Sequence, residues 1–149
     1  MKIWNKSVNV STENTDKFTE YREQIVALNS ISSYEVYRWL ISLGKKLKND
    51  PLSENNRTKE NRVTQCQSEL FVGLEKGRLK AWSNTPITGG YAYILTDIFN
   101  NLPKDMSTKS VVKNIEELGL QNLFSMIRKA GFYQMIEMLE EKSTHSDSD

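Results

Sequence analysis

Apolar residues recur in the first third of the chain at steps of three and four, which is the spacing of one helix face. The first such stripe consists of Phe18, Tyr21, Ile25 and Leu28, and the second consists of Val36, Leu40 and Leu43. Ser32 or Ser33 is suited to cap the second helix, because a serine oxygen accepts hydrogen bonds from N–H groups of the first turn. The pattern therefore predicts two amphipathic helices before Pro51.

The spacing changes to two after a polar segment over residues 49–59. Leu70, Val72 and Leu74 alternate with other residues, which predicts a strand. Residues 78–82 alternate again, and Lys76-Gly77 between the two runs predicts a hairpin turn. A shorter strand from about residue 61 to residue 64 is expected to come before them. The middle of the chain therefore predicts a three-stranded antiparallel sheet.

Helical spacing returns after Pro86 and continues almost to the end of the chain. The stripes consist of Tyr91, Ile94, Leu95, Ile98 and Leu102, then of Val111, Val112, Ile115 and Leu118, and finally of Phe132, Met135, Ile136 and Leu139. Residues 120–124 are predicted to form a short helical segment. This order predicts an α+β fold, in which helices pack on one face of a small three-stranded antiparallel sheet. The single domain is expected to span residues 16–142, with disordered polar segments at 1–15 and 143–149.

The charge and hydropathy of the chain disfavour two classes of partner. Its 20 basic and 19 acidic residues give a formal net charge of +1, without the basic excess of nucleic-acid-binding proteins. It has no apolar run of about 18 residues, the length of a membrane span, and no apolar core of a secretion signal near its first residue. With a single cysteine, these features favour a location in the cytoplasm.

One cysteine and one histidine, Cys66 and His145, limit the chemistry that the chain can carry. Zinc and iron–sulfur sites use three or four such ligands, so we expect neither a bound metal nor a cofactor. A Cys–His hydrolase would have to recruit its histidine from the polar tail, and the glycine motifs of phosphate-binding loops are absent. Cys66 is left as the candidate reactive group.

The sequence around Cys66 leaves two interpretations open. A free cysteine is commonly an inert buried residue. In contrast, residues 64–68 are polar and lie where one predicted strand gives way to the next, so the thiol is expected at the end of the sheet. Gln67 and Ser68 are candidate hydrogen-bond donors to a thiolate, whereas a cation must come from elsewhere in the fold.

The cysteine motif resembles that of a known family. The run from Asn61 to Cys66-Gln67-Ser68, followed by an alternating strand, is similar to the SufE/CsdE family of sulfur acceptors. An R-x-x-G pattern that begins at Arg128, and is followed by Met-Ile, is similar to a pattern near the end of the family's domain. Further similar stretches are residues 37–47, 83–90 and 118–120. The resemblance covers about residues 18–142 and implies a SufE/IscU-like fold.

The resemblance also implies an activity. Members of the family take sulfur from a PLP cysteine desulfurase of the SufS/CsdA type and stimulate that enzyme. They carry the sulfur as a cysteine persulfide to a SufBCD-type or other scaffold for iron–sulfur cluster assembly. Cys66 would be the acceptor, and Arg128 would favour its anionic forms. This transfer is thiol exchange, which needs one thiol and neither a metal nor a histidine.

The sequence differs from the family pattern in three places. Gln65 stands where glycine is common, Asn84 stands where an acidic residue is usual, and residues 126–127 replace a Pro-Ser pair. We place Gln65 and Asn84 in the predicted environment of the thiol, with Gln67, Ser68 and Arg128. An alternative function is a non-catalytic interaction module of the same fold, which would bind a desulfurase or scaffold without accepting sulfur. An IscU-like scaffold is disfavoured, because one cysteine cannot anchor a cluster within one chain.

Overall fold

Five α-helices and a two-stranded antiparallel sheet make up the computed structural model over the residues that it describes, 16–103, 105–122 and 129–148. The helices are α1 (Lys17–Ile31), α2 (Ser33–Leu47), α3 (Pro86–Asn100), α4 (Thr108–Glu116) and α5 (Lys129–Ser148). The strands are β1 (Leu70–Glu75) and β2 (Arg78–Ser83), and short 3-10 turns lie at Glu54–Asn56, Lys59–Asn61 and Leu120–Asn122. The predicted α+β class is confirmed. The predicted disordered segment 1–15 lies outside the described residues.

Several helices begin at a residue whose side-chain oxygen accepts a backbone hydrogen bond. Asp16 accepts from the Thr19 N–H before α1 at 2.9 Å, and Ser107 accepts from the Ser110 N–H before α4 at 3.2 Å. Ser32 lies between α1 and α2 and accepts from the Glu35 N–H at 3.4 Å. Of the two capping residues proposed from sequence, Ser32 is therefore the one used. Such caps satisfy N–H groups that have no partner within the helix.

The prediction of three strands is wrong. β1 and β2 pair from Leu70 opposite Ser83 to Glu75 opposite Arg78, joined by a two-residue turn of Lys76 and Gly77. The expected first strand is replaced by the 3-10 turn Lys59–Asn61 and by a single bridge between Arg62 and Phe71. A strand needs a longer extended run, but the next residues turn back, since the Cys66 N–H donates to Val63 O at 3.3 Å.

The two faces of the hairpin are covered differently. The face that carries Leu70, Val72 and Ala81 is buried and contacts α3 and α5. The loop that precedes Cys66 begins at the free edge of β2, where the Leu52 N–H donates to Ala81 O at 3.0 Å, and continues over the other face, where the Leu52 and Asn61 side chains lie above Gly73. In the same loop the Arg57 guanidinium carbon lies 4.5 Å from the centre of the Trp82 ring. This loop leads the chain directly into the segment that holds Cys66.

Helices α2 and α3 approach each other so closely that their backbones touch. A Cβ atom at Gly44 would lie 2.0 Å from Pro86 O, and a Cβ atom at Gly90 would lie 2.1 Å from Leu40 O. Both distances are far below contact distance, so only glycine allows this approach. The contact fixes the first turn of α3, and that turn forms one wall of the site described below.

Helices α1 and α5 complete the described part of the chain. α1 is held against α3 by Asp97, which accepts a hydrogen bond from the Tyr21 hydroxyl at 2.6 Å and pairs with Lys17 at 3.3 Å. α5 continues to Ser148 and so includes most of the segment for which the sequence predicts a disordered tail. None of the helices within the described residues has both the length and the apolar character needed to cross a membrane.

The α2–α3 contact gives a first prediction. We expect Gly90→Ala to lower the free energy of unfolding by about 3 kcal/mol, because the new methyl group would overlap the Leu40 carbonyl. Gly89→Ala is the graded comparison in the same helix turn, since its Cβ would lie 3.3 Å from the Gly44 Cα, a tight contact that a shift of a few tenths of an ångström relieves, so its loss should be clearly smaller. Urea denaturation followed by circular dichroism measures both values. Equal losses in the two variants would contradict the proposed backbone contact.

Candidate functional site

Cys66 lies in a turn between the Arg62 bridge and the start of β1. Cys66 is only 7% exposed and belongs to the buried core, although its neighbours Thr64, Gln65 and Gln67 are exposed. The thiol is therefore at the end of the sheet, where the sequence places it, but it points into the protein. The described structure is one in which the sulfur is shielded from solvent.

Hydroxyl groups at the start of β1 and α3 form the polar wall of the site. The Thr85 and Thr88 hydroxyls each donate to Ser68 Oγ at 3.2 Å, and Thr88 is fully buried. The Thr88 hydroxyl also reaches the Cys66 sulfur. Because it has one proton, it donates either to Ser68 or to an ionised Cys66, and can turn from one to the other.

The pKa of the Cys66 thiol is raised above its ordinary value, chiefly because burial disfavours the thiolate. Three groups oppose this effect. Hydrogen bonds from the Ser68 backbone and the Thr88 side chain lower the pKa, as does the positive charge of Arg62. Burial outweighs these three groups, so the buried position of Cys66 favours the neutral thiol. The neutral form is a poor nucleophile.

Arg62 supplies the positive charge near the thiol. It is held over the Phe71 ring, with its guanidinium carbon 5.7 Å from the ring centre, and the two residues also form the isolated β-bridge. No carboxylate pairs with Arg62 among the residues described. Its charge is therefore not neutralised by a neighbouring acid in this part of the chain.

Helix α5 closes the other side of the cysteine turn. A Cβ atom at Gly131 would lie 3.3 Å from the Cys66 Cα, and one helical turn later the Gln134 side chain binds Gln65 and Thr64. Near the end of the helix, the Lys142 ammonium donates to Asn61 Oδ1 at 2.7 Å. The segment over residues 61–66 thus follows α5 in the antiparallel direction.

The residues that the sequence places around the thiol differ in whether they contact the Cys66 sulfur. The backbone N–H of Ser68 contacts the sulfur, whereas the Gln67 side chain is exposed. The Gln65 side chain is exposed as well, and its backbone N–H binds α5. Asn84 pairs with the backbone of Glu69, with its N–H donating at 3.2 Å and its Oδ1 accepting at 3.0 Å. Asn84 thus extends the pairing of β1 and β2 by one position beyond Leu70 and Ser83. Arg128 lies outside the described residues.

Sequence reasoning missed three residues of the site. Arg62 stands four positions before the cysteine, although the cation was expected from elsewhere in the fold. Thr88 falls between Ile87 and Gly90 in a stretch that resembles the family, but nothing in the sequence connects it to the thiol. Gln134 contacts residues about 70 positions away, and no local pattern indicates this pairing.

The arrangement presents a single sulfur atom among hydrogen-bond donors. No group of three or more His, Cys, Asp or Glu residues in the described ranges is placed to hold a metal ion. The chemistry that such a group can carry is that of one thiol, whose ionised form is a nucleophile toward sulfur or carbon.

Two comparisons with known proteins agree on one family. The SufE family, described as an Fe-S metabolism associated domain, matches residues 22–143. The chain is also 28% identical, over 111 residues, to an uncharacterized SufE-like protein of Synechocystis sp.. That match covers 72% of this chain and 69% of the relative. The chain therefore belongs to the SufE family, whose shared domain is associated with iron–sulfur metabolism.

Proposed function

We propose that this chain is a sulfur acceptor and carrier for iron–sulfur cluster assembly. It takes persulfide sulfur from a PLP cysteine desulfurase onto Cys66, stimulates the desulfurase by removing its sulfur, and passes the sulfur to a SufBCD-type or other scaffold. Family membership supports the association with iron–sulfur metabolism. The observation that carries the finer proposal is a lone thiol, shielded in a closed turn and surrounded by donors suited to an anionic sulfur.

The proposed step is a thiol exchange at sulfur. The ionised sulfur of Cys66 attacks the outer sulfur of the desulfurase persulfide, so a new S–S bond forms at Cys66 while the donor's S–S bond breaks. The donor cysteine leaves as a thiolate and takes up one proton, which balances the proton that Cys66 released. No oxidant or reductant is consumed. Delivery to the scaffold repeats the exchange with Cys66 persulfide as the donor.

The surroundings of Cys66 suit a carrier better than a stand-alone enzyme. The Ser68 N–H and the Thr88 hydroxyl are placed to hydrogen-bond an anionic sulfur, and Arg62 adds a positive charge. The chain has no second cysteine that could attack a persulfide on Cys66 and release sulfide. Closure of the turn would shield the persulfide from other thiols until a partner opens it.

The alternative, a non-catalytic interaction module, is favoured by the burial of the same thiol. Cys66 is almost fully buried and its pKa is raised, which are also the properties of an inert packing cysteine. Such a module would bind a desulfurase or scaffold through the exposed residues around the turn. The two functions differ in whether sulfur becomes attached to Cys66.

The first test of the proposal is the mass of the protein after reaction. We expect incubation with a PLP cysteine desulfurase and cysteine to add the mass of one sulfur atom to Cys66, as seen by intact-protein and peptide mass spectrometry. Treatment with a reductant should remove the added mass, because a persulfide S–S bond is reducible. The desulfurase should also turn over faster in the presence of the chain.

Cys66→Ser is the matched variant, because it keeps the size and hydrogen bonding of the side chain without the nucleophilic sulfur. We expect it to bind the desulfurase and to give no stimulation. Full stimulation by Cys66→Ser, with no added sulfur on the wild-type protein, would instead support the interaction module.

The second test is the titration of the thiol. We expect the ¹³Cβ resonance of labelled Cys66 to show a midpoint above the ordinary cysteine pKa of about 8.5, because burial disfavours the thiolate. Arg62→Gln should move the midpoint further up, since it removes a charge that lowers the pKa. Arg57→Gln is the control, because Arg57 lies on Trp82.

The sign of the shift also fixes how stability depends on pH. A raised pKa in the folded state means that the wild-type protein keeps its full stability below the unfolded pKa and loses stability as pH rises through the folded pKa. Cys66→Ser should lack this alkaline loss. A midpoint at or below the ordinary value, or an unchanged midpoint in Arg62→Gln, would contradict the described environment of the thiol.

A further inference from the structure

The side-chain amide of Gln134 holds the cysteine turn with both of its ends. Its Oε1 accepts a hydrogen bond from the Gln65 N–H at 2.8 Å, and its Nε2 donates to Thr64 Oγ1 at 3.0 Å. These two bonds join α5 to residues 69 and 70 positions earlier in the chain. Gln134 is therefore a tether between the last helix and the two residues that precede Cys66.

The backbone contact at Gly131 supports the same closed arrangement. A Cβ atom at Gly131 would lie 3.2 Å from Gln65 O and 3.3 Å from the Cys66 N and Cα atoms. The turn thus packs directly on the helix backbone, one turn before Gln134. Together the two residues determine how closely residues 64–66 lie against α5.

The anchors on both sides of the turn define what can move. Val63 is fully buried and its N–H donates to Leu70 O at 2.8 Å, so the chain is fixed before and after the turn. The side chains of Thr64, Gln65 and Gln67 already face solvent. Outward movement of this turn would expose the sulfur and leave the paired residues Val63 and Leu70 in place.

We propose that Gln134 is a positioning residue that keeps the Cys66 turn closed in the free protein, so that a partner exposes the thiol by breaking its two hydrogen bonds. The inference rests on the proposed function for the identity of that partner, a cysteine desulfurase. The closure itself is a property of the free chain and is tested without any partner.

The test is the rate at which iodoacetamide alkylates Cys66 in the free protein, followed by intact mass. Gln134→Met keeps the length of the side chain and removes both hydrogen bonds. We expect alkylation about tenfold faster than in the wild type, because two hydrogen bonds that favour the closed turn are lost. Thr64→Val removes only the Nε2 acceptor and should give a smaller increase of about threefold.

Two variants separate this effect from general destabilisation. Thr64→Ser retains the acceptor hydroxyl and should restore slow alkylation relative to Thr64→Val. Gln24→Met is the matched control on α1 and should alkylate at the wild-type rate. In Gln134→Met the rate should stay unchanged in low concentrations of urea, because a local opening exposes little new surface.

A wild-type alkylation rate in Gln134→Met would overturn the inference, as would a rate that rises steeply with urea. With the desulfurase present, Gln134→Met should reach half-maximal stimulation at a lower concentration than the wild type, because the partner no longer has to break these bonds. If the wild-type chain accepts no sulfur, the proposed function fails, while the alkylation results still decide the role of Gln134.

Discussion

The backbone contact between α2 and α3 is the constraint on which the site depends. Gly44 lies against the Pro86 carbonyl and Gly90 against the Leu40 carbonyl, so the first turn of α3 has one possible position on α2. That turn carries Thr88, whose hydroxyl reaches both Ser68 and the sulfur of Cys66. A change of a few tenths of an ångström in the helix packing would therefore move the polar wall of the thiol site. The glycines of the core set the geometry of a site that they do not touch.

The proposed role as a sulfur carrier requires a thiol that is shielded in the free protein and accessible to a partner, and the two sides of the cysteine turn differ in a way that suits both requirements. The inner side is the core wall of Thr88 and Ser68, which shields the sulfur and supplies hydrogen bonds. The outer side is the contact with α5 through Gly131 and Gln134, which involves one backbone approach and two hydrogen bonds near the surface. On the inner side, the sulfur is buried against the core. On the outer side, the contacts to α5 lie near the surface, where a partner would be able to reach them.

The sequence predicts the local features of this protein well and the long-range ones poorly. The helix stripes, the serine cap before α2 and the hairpin turn follow from neighbouring residues, because periodicity and capping are local effects. The third strand was wrong, since four residues of alternating pattern do not compete with the turn at Cys66. Burial of the thiol was not predictable from its polar neighbours, because the cover comes from α3 and α5. The contact of Gln134 with the cysteine turn was not predictable for the same reason, because its partners lie about 70 positions earlier in the chain.

The residue before the cysteine shows how such long-range contacts change the meaning of a local substitution. Glycine at this position would matter if the closed turn needed a positive φ, but the described non-glycine residues with positive φ are Lys76 and Asp105. Gln65 thus adopts a backbone conformation open to any residue, and its N–H is used by Gln134. A side chain at this position also reduces the number of conformations open to a released turn, which makes opening less favourable in entropy. Gln65 and Gln134 therefore act in the same direction, and both favour the closed position of the turn.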